Sequence, residues 1–323
     1  MTDFIKQYDS GHKVQRLYIH WDVSTQCNFK CSYCYAMKEY GDEWGRIDRW
    51  DKQQLVINSI GRATLPVFLG LLGGEPTLHP RYEELIEGCH AAISKHPDGR
   101  LYITTNGSKD TDFFRKHKYY NNMYFLWSFH TEYESKYGED FKRLLDNIRV
   151  IKDKGFRCKV NVMLNPKKEL WPKIHKFVDS LEEMSGIEIH PHFLYANGDV
   201  HVPENYSEEF YNEFKRFNAY PNYFTFEDVK GDKVMYNDYN LFKRELTGFK
   251  GWSCWNNNYE ISYDGVVHRV CFDQPVNLVT DPFYFKKITA ITPVKCPHGS
   301  CNCDGLLKIF KEKVVLLNNS ETQ

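Results

Sequence analysis

The stretch CNFKCSYCY, Cys27 to Tyr35, follows directly on VQRLYIHWDVS, which reads as a strand over residues 14–24. Three thiols stand there at C-x3-C-x2-C with no fourth beside them, flanked by Phe29, Tyr33 and Tyr35. Cysteines so spaced, in a loop after a strand, can wrap one ion or one cluster. A structural zinc site takes four protein ligands. Three ligands leave a coordination position open, which suits catalysis better than scaffolding. Thiolates are also the usual ligands of iron–sulfur clusters, and a [4Fe–4S] cluster held by three cysteines keeps one iron free for a substrate or cofactor.

Outward from that loop the chain alternates short β-like runs with helical periodicity. PVFLGLLGGEP (66–76) is a continuous apolar run ending in glycines, as in a strand buried on both faces. RYEELIEGCHAAISKH is helical, with Leu85, Ile86, Cys89 and Ile93 on one face. RLYITTNGS and NMYFLWSFHTEY are further strands. FKRLLDNIRVIKDKG is a helix closed by Gly155. RCKVNVMLNP is a strand, LWPKIHKFVDSLEEMSG a helix with Ile174, Phe177, Val178 and Leu181 at i, i+3, i+4, i+7, and IEIHPHFLY a sixth strand. Such alternation predicts parallel strands with right-handed crossovers. Six units are too few for an eight-stranded barrel, so the expected class is α/β, a partial (β/α)6 TIM-like barrel.

After Tyr195 the pattern breaks. Residues 206–249 hold 13 Tyr and Phe. Phe210, Phe214 and Phe217 fall on one helical face after the N-cap Ser207, which predicts a helix packed on the barrel's side; aromatics lining a substrate cleft are the alternative. NNNYEISYDGVVHRVCFD, after Cys254, reads as two strands about an Asp264-Gly265 turn. The expected organisation is a barrel over residues 1–200, an aromatic-rich helical connector over 201–250 and a small module over 251–323.

The bulk numbers exclude several partners. Formal net charge is -1, with 42 basic against 43 acidic side chains, so no electrostatic footprint for nucleic acid or an anionic membrane is present. No apolar run approaches a membrane span and MTDFIKQYDSGHK carries no signal-peptide pattern; a cytoplasmic protein is expected. In that compartment the ten cysteines are not expected to be structural disulfides. Cys89 and Cys158 each fit an apolar pattern and read as buried small residues.

C-x3-C-x-aromatic-C after the first barrel strand resembles the signature of radical S-adenosylmethionine (radical SAM) enzymes. The resemblance implies that Cys27, Cys31 and Cys34 hold a [4Fe–4S] cluster whose open iron binds SAM, and that Tyr33 lies near the adenine. In that family an electron from the cluster cleaves SAM to methionine and a 5′-deoxyadenosyl radical, which abstracts a substrate hydrogen. Gly73-Gly74-Glu75-Pro76 resembles the family's GGEP segment and implies binding of the SAM amino group; glycine permits close backbone approach and a carboxylate complements an ammonium. Thr104-Thr105-Asn106-Gly107 is similar to the family's TNG segment. By the same resemblance Asn106, Ser128, Arg143 and Asn161 are expected SAM contacts, with His130 beside Ser128 on its strand. His190 and His192 share a face of the sixth strand and read as structural histidines.

Cys254, Cys271, Cys296, Cys301 and Cys303 form a second group, C-x10-G-x5-C and then C-x4-C-x-C. The layout resembles the family's SPASM extension, and more nearly its shorter one-cluster form, Twitch. It implies one auxiliary [4Fe–4S] cluster, with zinc as the alternative metal, because S4 sites suit either. Five thiols supply four ligands with one left over. The expected activity is radical SAM modification or oxidation of a small molecule such as a sugar or nucleotide derivative, with a flavodoxin or ferredoxin as electron donor. Only about 16 residues precede the first strand, which weighs against a leader-binding domain; maturation of a ribosomally made peptide and a non-catalytic metal-binding scaffold are the other readings.

Overall fold

Along each barrel strand the residues alternate, and the alternation decides which face meets the helices. Leu17, Ile19 and Trp21, then Val67, Leu69 and Leu71, then Phe125, Trp127 and Phe129, then Val160, Val162 and Leu164 all lie in one apolar core with the helix residues. The residues between them turn to the opposite, concave face. The computed structural model describes residues 4–8, 15–133, 141–194, 196, 204–221, 223–271, 274–301 and 309–313. Its strands are β1 (Phe4–Tyr8), β2 (Leu17–Asp22), β3 (Val67–Leu72), β4 (Arg100–Thr105), β5 (Met123–Phe129), β6 (Arg157–Leu164), β7 (Ile187–Phe193), β8 (Phe224–Asp228), β9 (Lys233–Tyr236), β10 (Ser253–Cys254), β11 (Asn258–Ile261), β12 (Val266–Arg269), β13 (Val276–Asn277), β14 (Val294–Lys295) and β15 (Lys311–Glu312). Its helices are α1 (Tyr35–Tyr40), α2 (Trp50–Ile60), α3 (Tyr82–Ile93), α4 (Thr111–Lys116), α5 (Lys142–Asp153), α6 (Trp171–Glu182), α7 (Glu208–Glu213), α8 (Asp238–Lys243) and α9 (Tyr284–Lys287).

Strands β2 to β7 are parallel neighbours in sequence order, each joined to the next through helix. The sheet runs β13-β12-β11-β2-β3-β4-β5-β6-β7 and its two ends do not meet. This is the partial barrel the alternation predicts. The helix faces also follow the spacing: Leu85, Ile86, Cys89 and Ile93 of α3, and Ile174, Phe177, Val178 and Leu181 of α6, are all buried. α5 stops where expected, with Gly155 at φ 90. Cys89 and Cys158 are buried in this core.

The hairpin after Cys254 forms about Gly265 as expected, pairing Ile261 with Val267. Its first strand does more. β11 lies parallel to β2, with Tyr259 beside Ile19 and Ile261 beside Trp21, so it continues the barrel sheet. A second sheet, β14-β10-β15-β1-β8-β9, joins the N-terminal strand, a hairpin from the 206–249 segment and the C-terminal strands.

The aromatic-rich segment is helical only in part. Ser207 caps α7 by accepting from the Phe210 N–H at 3.2 Å, and Phe210, Phe214 and Phe217 are buried, the first two edge-on to Trp171 of α6. Those rings pack on the barrel's side and do not line a cleft. Between α7 and α8 the chain turns at Gly231 into the β8–β9 hairpin, which Asp228 closes by accepting from the N–H groups of Lys230 and Asp232. Among the described residues no helix is long and apolar enough to cross a membrane.

Candidate active site

The cysteine loop leaves the C-terminal end of β2 and is docked there by the GGEP turn. Gly74 N–H donates to the Ser24 carbonyl at 2.8 Å and Glu75 N–H to the Gln26 carbonyl at 2.6 Å. The two backbones are so close that a Cβ on Gly73 would sit 2.2 Å from the Ser24 oxygen, and one on Gly74 1.9 Å from the Gln26 oxygen. Gly73 also has φ +105, a conformation side chains resist. The approach that these glycines permit is to the cysteine loop itself.

Glu75 is 1% exposed and its carboxylate accepts four hydrogen bonds from the chain: Thr77 N–H at 3.1 Å, Thr77 hydroxyl at 2.6 Å, Thr105 hydroxyl at 2.7 Å and Asn106 N–H at 2.7 Å. Burial pushes its pKa up, and those donors pull it back. Glu75 is a strut between the ends of β3 and β4. Through it Asn106 is set in place, donating to Asn28 at 3.0 Å with its amide 3.9 Å from the Cys27 sulfur.

Residues just beyond β5 hold the loop's other side. Glu132 accepts from Ser32 N–H at 3.0 Å and from its hydroxyl at 2.7 Å. Tyr133 donates to the Lys30 carbonyl and stacks on Phe29 with ring centres 4.9 Å apart. His130 Nδ1 lies 3.0 Å from the Tyr33 hydroxyl and 3.5 Å from the Cys31 sulfur, and the Tyr33 ring lies parallel to the imidazole. Burial lowers the His130 pKa to about 4. Phe29, Cys31 and Tyr33 pack with Met163 and Leu194 into a small apolar cluster over the barrel mouth, which Cys27 and Cys34 border. Burial raises the pKa of all three thiols, Cys27 to about 12, and the Cys31 thiol lies within electrostatic reach of the other two.

The concave face carries the remaining expected contacts. Ser128, Asn161 and His190 stand side by side across β5, β6 and β7, so they form one row. His190 stacks on Tyr223 at 5.3 Å. Arg143 is exposed on α5 and donates to the Ser108 carbonyl at 3.4 Å, at the rim. The residue on α5 that reaches under this loop is Asn147, donating to the carbonyls of Gly107 and Lys109 at 2.9 Å each. Sequence spacing gave no signal for Asn147 or Glu132, because each works through hydrogen bonds to a loop distant in the chain. The hydroxyls of Ser24, Thr104, Ser108 and Thr131, all at or just past strand C-terminal ends, are buried without a hydrogen-bond partner among the described residues. At the end of β2, Asp22 accepts from Tyr40 at 2.6 Å and Tyr35 at 3.3 Å, and burial raises its pKa to about 7.

The second cysteine group assembles in a different place. Cys254, Cys296 and Cys301 are buried with Phe4, Phe224, Phe226, Leu241, Phe249 and Ile309, and Cys271 packs against them. Burial raises the Cys254 thiol to about 11 and Cys271 to about 12; Cys296 and Cys301 push both the same way, and Cys254 adds to the rise at Cys271. Lys311 pulls Cys254 and Cys301 in the opposite direction. Cys271 reaches the group from a left-handed backbone at φ 72, a conformation that costs a non-glycine residue roughly 1–2 kcal/mol. Cys303 lies outside the described residues. Within neither group do three donors, with His, Asp and Glu counted, converge so as to hold a single metal ion among the described residues.

The family model for the radical SAM superfamily matches residues 21–215. The chain belongs to the radical SAM superfamily. Radical SAM proteins are enzymes that use a [4Fe–4S] cluster and S-adenosylmethionine. No curated protein sequence matches the chain. Among solved structures, native anSMEcpe with bound AdoMet is similar at 15% identity over 85% of this chain and 81% of that one, with a TM-score of 0.52. Native anSMEcpe with bound AdoMet and Kp18Cys peptide gives 17% identity, 85% and 80% coverage and a TM-score of 0.52. SuiB of Streptococcus suis bound to S-adenosylmethionine gives 14% identity, 82% and 64% coverage and a TM-score of 0.47. At such identities the first two show a shared fold, and the third carries no weight.

The matched segment begins at Trp21 and ends in the 206–249 region, so it takes in both the cysteine loop and the GGEP turn. The cysteine loop and the GGEP turn follow the C-terminal ends of β2 and β3, the end of a barrel at which active sites generally lie.

Proposed function

We propose that this radical SAM enzyme oxidises a polar small molecule, such as a sugar or nucleotide derivative, at the barrel mouth. The observation that carries the oxidative part is the gathering of Cys254, Cys271, Cys296 and Cys301 in one apolar pocket. Four cysteines gathered in one apolar pocket can hold an iron–sulfur cluster, whose usual ligands are thiolates. We assign these four as the ligands of an auxiliary [4Fe–4S] cluster. When bound there, such a cluster would supply an acceptor for the second electron of a two-electron oxidation.

Cys27, Cys31 and Cys34 would hold the SAM-binding cluster. Their thiols are neutral when metal-free, so metal binding releases protons from them. When bound, that cluster supplies the electron that splits SAM and so generates the hydrogen-abstracting radical. The chain's own residues prepare the place. Glu75, Glu132 and Asn106 fix the loop; Phe29, Tyr33 and Met163 exclude water over it. The hydroxyls of Thr104 and Ser108, which have no hydrogen-bond partner among the described residues, offer hydrogen bonds to SAM's polar groups, with Ser128 and Asn161. Gly73 and Gly74 serve SAM indirectly, by letting the loop dock, and Arg143 reaches it from the rim.

The substrate class rests on the concave face, where Asn161, His190 and His192 stand on β6 and β7; a hydroxyl-rich ligand finds donors and acceptors there. A flavodoxin or ferredoxin in the cytoplasm would deliver the electron. Residues 1–200, 201–250 and 251–323 are then functional units, although two sheets run across them. Because a structure of the same fold carries the Kp18Cys peptide, a peptide side chain is the second reading.

The deciding assay is 5′-deoxyadenosine release by the anaerobically reconstituted chain, challenged with pools of amino sugars, polyols and nucleosides against pools of short peptides. Stimulation by the first set is expected. Stimulation by peptides alone would exchange the two readings, and absence of any SAM cleavage would leave a metal-binding scaffold.

A further inference from the structure

The second sheet places one charged side chain among the C-terminal thiols. In it, β1, β15 and β10 are adjacent, and the register sets Gln7 opposite Lys311 and Lys311 opposite Cys254. Directly opposed residues project to the same face, so Lys311 and Cys254 are side by side. Lys311 is 1% exposed. Its ammonium donates to Gln7 Oε1 at 3.2 Å and to the Ile309 carbonyl at 3.1 Å, and lies 4.9 Å from the centre of the Phe249 ring. Phe249 belongs to the same apolar cluster as Cys254, Cys296 and Cys301. A buried ammonium is costly to keep, and here three elements cooperate to hold it against the thiols.

We propose that Lys311 is a positioning residue whose fixed positive charge makes the C-terminal metal centre easier to reduce. The inference rests on the reading that Cys254, Cys271, Cys296 and Cys301 hold a [4Fe–4S] cluster. Four thiolates make such a centre anionic, and gaining one electron makes it more so. A neighbouring cation stabilises the reduced state more than the oxidised one, and does so strongly where water is excluded. The electron comes from the substrate radical in turnover and from dithionite in the test; no atom is transferred. Lys311 thereby biases the centre toward accepting the electron that oxidation of the substrate must release.

The test uses the full chain carrying Cys27→Ala, Cys31→Ala and Cys34→Ala, so that only the C-terminal centre contributes. Iron and sulfide are counted, and the potential is read by EPR-monitored titration for that chain and for it with Lys311→Met, Lys311→Arg or Gln7→Glu. Lys311→Met is expected to shift the potential to more negative values, Lys311→Arg to hold it, and Gln7→Glu, which sets a carboxylate against the ammonium, to shift it as Lys311→Met does. Gln7→Glu also decides the matter should Lys311→Met fail to load iron. Full iron with one potential in every variant overturns the role of Lys311 alone. Absence of iron from the parent chain overturns the cluster reading and the role of Lys311 with it.

Discussion

At Gly74 the requirement is for space. An alanine Cβ would stand 1.9 Å from the Gln26 carbonyl oxygen and 2.9 Å from the Cys27 nitrogen, and both neighbours are backbone, which cannot swing aside. Gly74→Ala is therefore expected to push the cysteine loop off its dock at a cost on the order of 1–3 kcal/mol. Iron bound at the first site should fall by more than half while far-UV circular dichroism stays native; full iron would show that the loop has slack. Asp22 is a second residue with a direct readout. Its carboxyl titrates near 7 in the fold against 3.8 as the ordinary value, because burial outweighs the hydrogen bonds from Tyr40 and Tyr35. The folded chain thus holds a proton that the unfolded chain has lost. This contribution to stability is complete below the lower value and is lost as pH rises through about 7. Asp22→Asn should gain on the wild type as pH rises across that window and level off above it, by on the order of a few kcal/mol. Urea midpoints of both proteins against pH check this, and parallel curves would refute it.

Among the elements, the amphipathic helices were the most legible. α6 buries Ile174, Phe177, Val178 and Leu181 as their spacing predicts, because a helix on a barrel has one face to bury and its period is read from the sequence alone. Phe177 lies flat on Phe129 of β5 with ring centres 3.8 Å apart. Phe177→Ala should cost about 3–5 kcal/mol in urea unfolding, and a loss below about 1 kcal/mol would mean that α6 is not anchored there. The short elements were not legible. β10, β14 and β15 have two residues each, too few to carry a period, and they exist because partners far away in the chain align them. The β8–β9 hairpin had a usable signal in Gly231 and the alternating residues around it, hidden by the aromatic content of the whole stretch.

At the scale of the whole molecule, β11 bonds to β2 along four register pairs and β15 bonds to β1. A chain cut after residue 250 would therefore bare the edge of β2 and remove β15 from one side of β1, leaving β8 on the other. Exposed parallel edges template association. The truncated chain is expected to aggregate or to unfold at markedly lower temperature than the full chain, by light scattering and thermal melting. A monomeric fragment of near-native stability would show instead that the last 73 residues, 251–323, are an independent unit.

Order and spacing along the chain were enough for the βαβ succession, the helix faces, the three clustered thiols and the GGEP turn after the next strand. Each is local: period, cap and motif lie within about a dozen residues, where bonded geometry limits the choices. Contacts between distant stretches decided the rest. Glu75 is expected from its motif to meet the SAM amino group, and the fold shows in addition a strut that accepts four hydrogen bonds from the chain. Lys311, one lysine among many, becomes a buried charge because β1 and β10 close on either side of it. The C-terminal hairpin joins the barrel because β2 has an edge to satisfy. Hydrogen-bond partners and burial are properties of neighbours in space, and the neighbours here come from opposite ends of the chain.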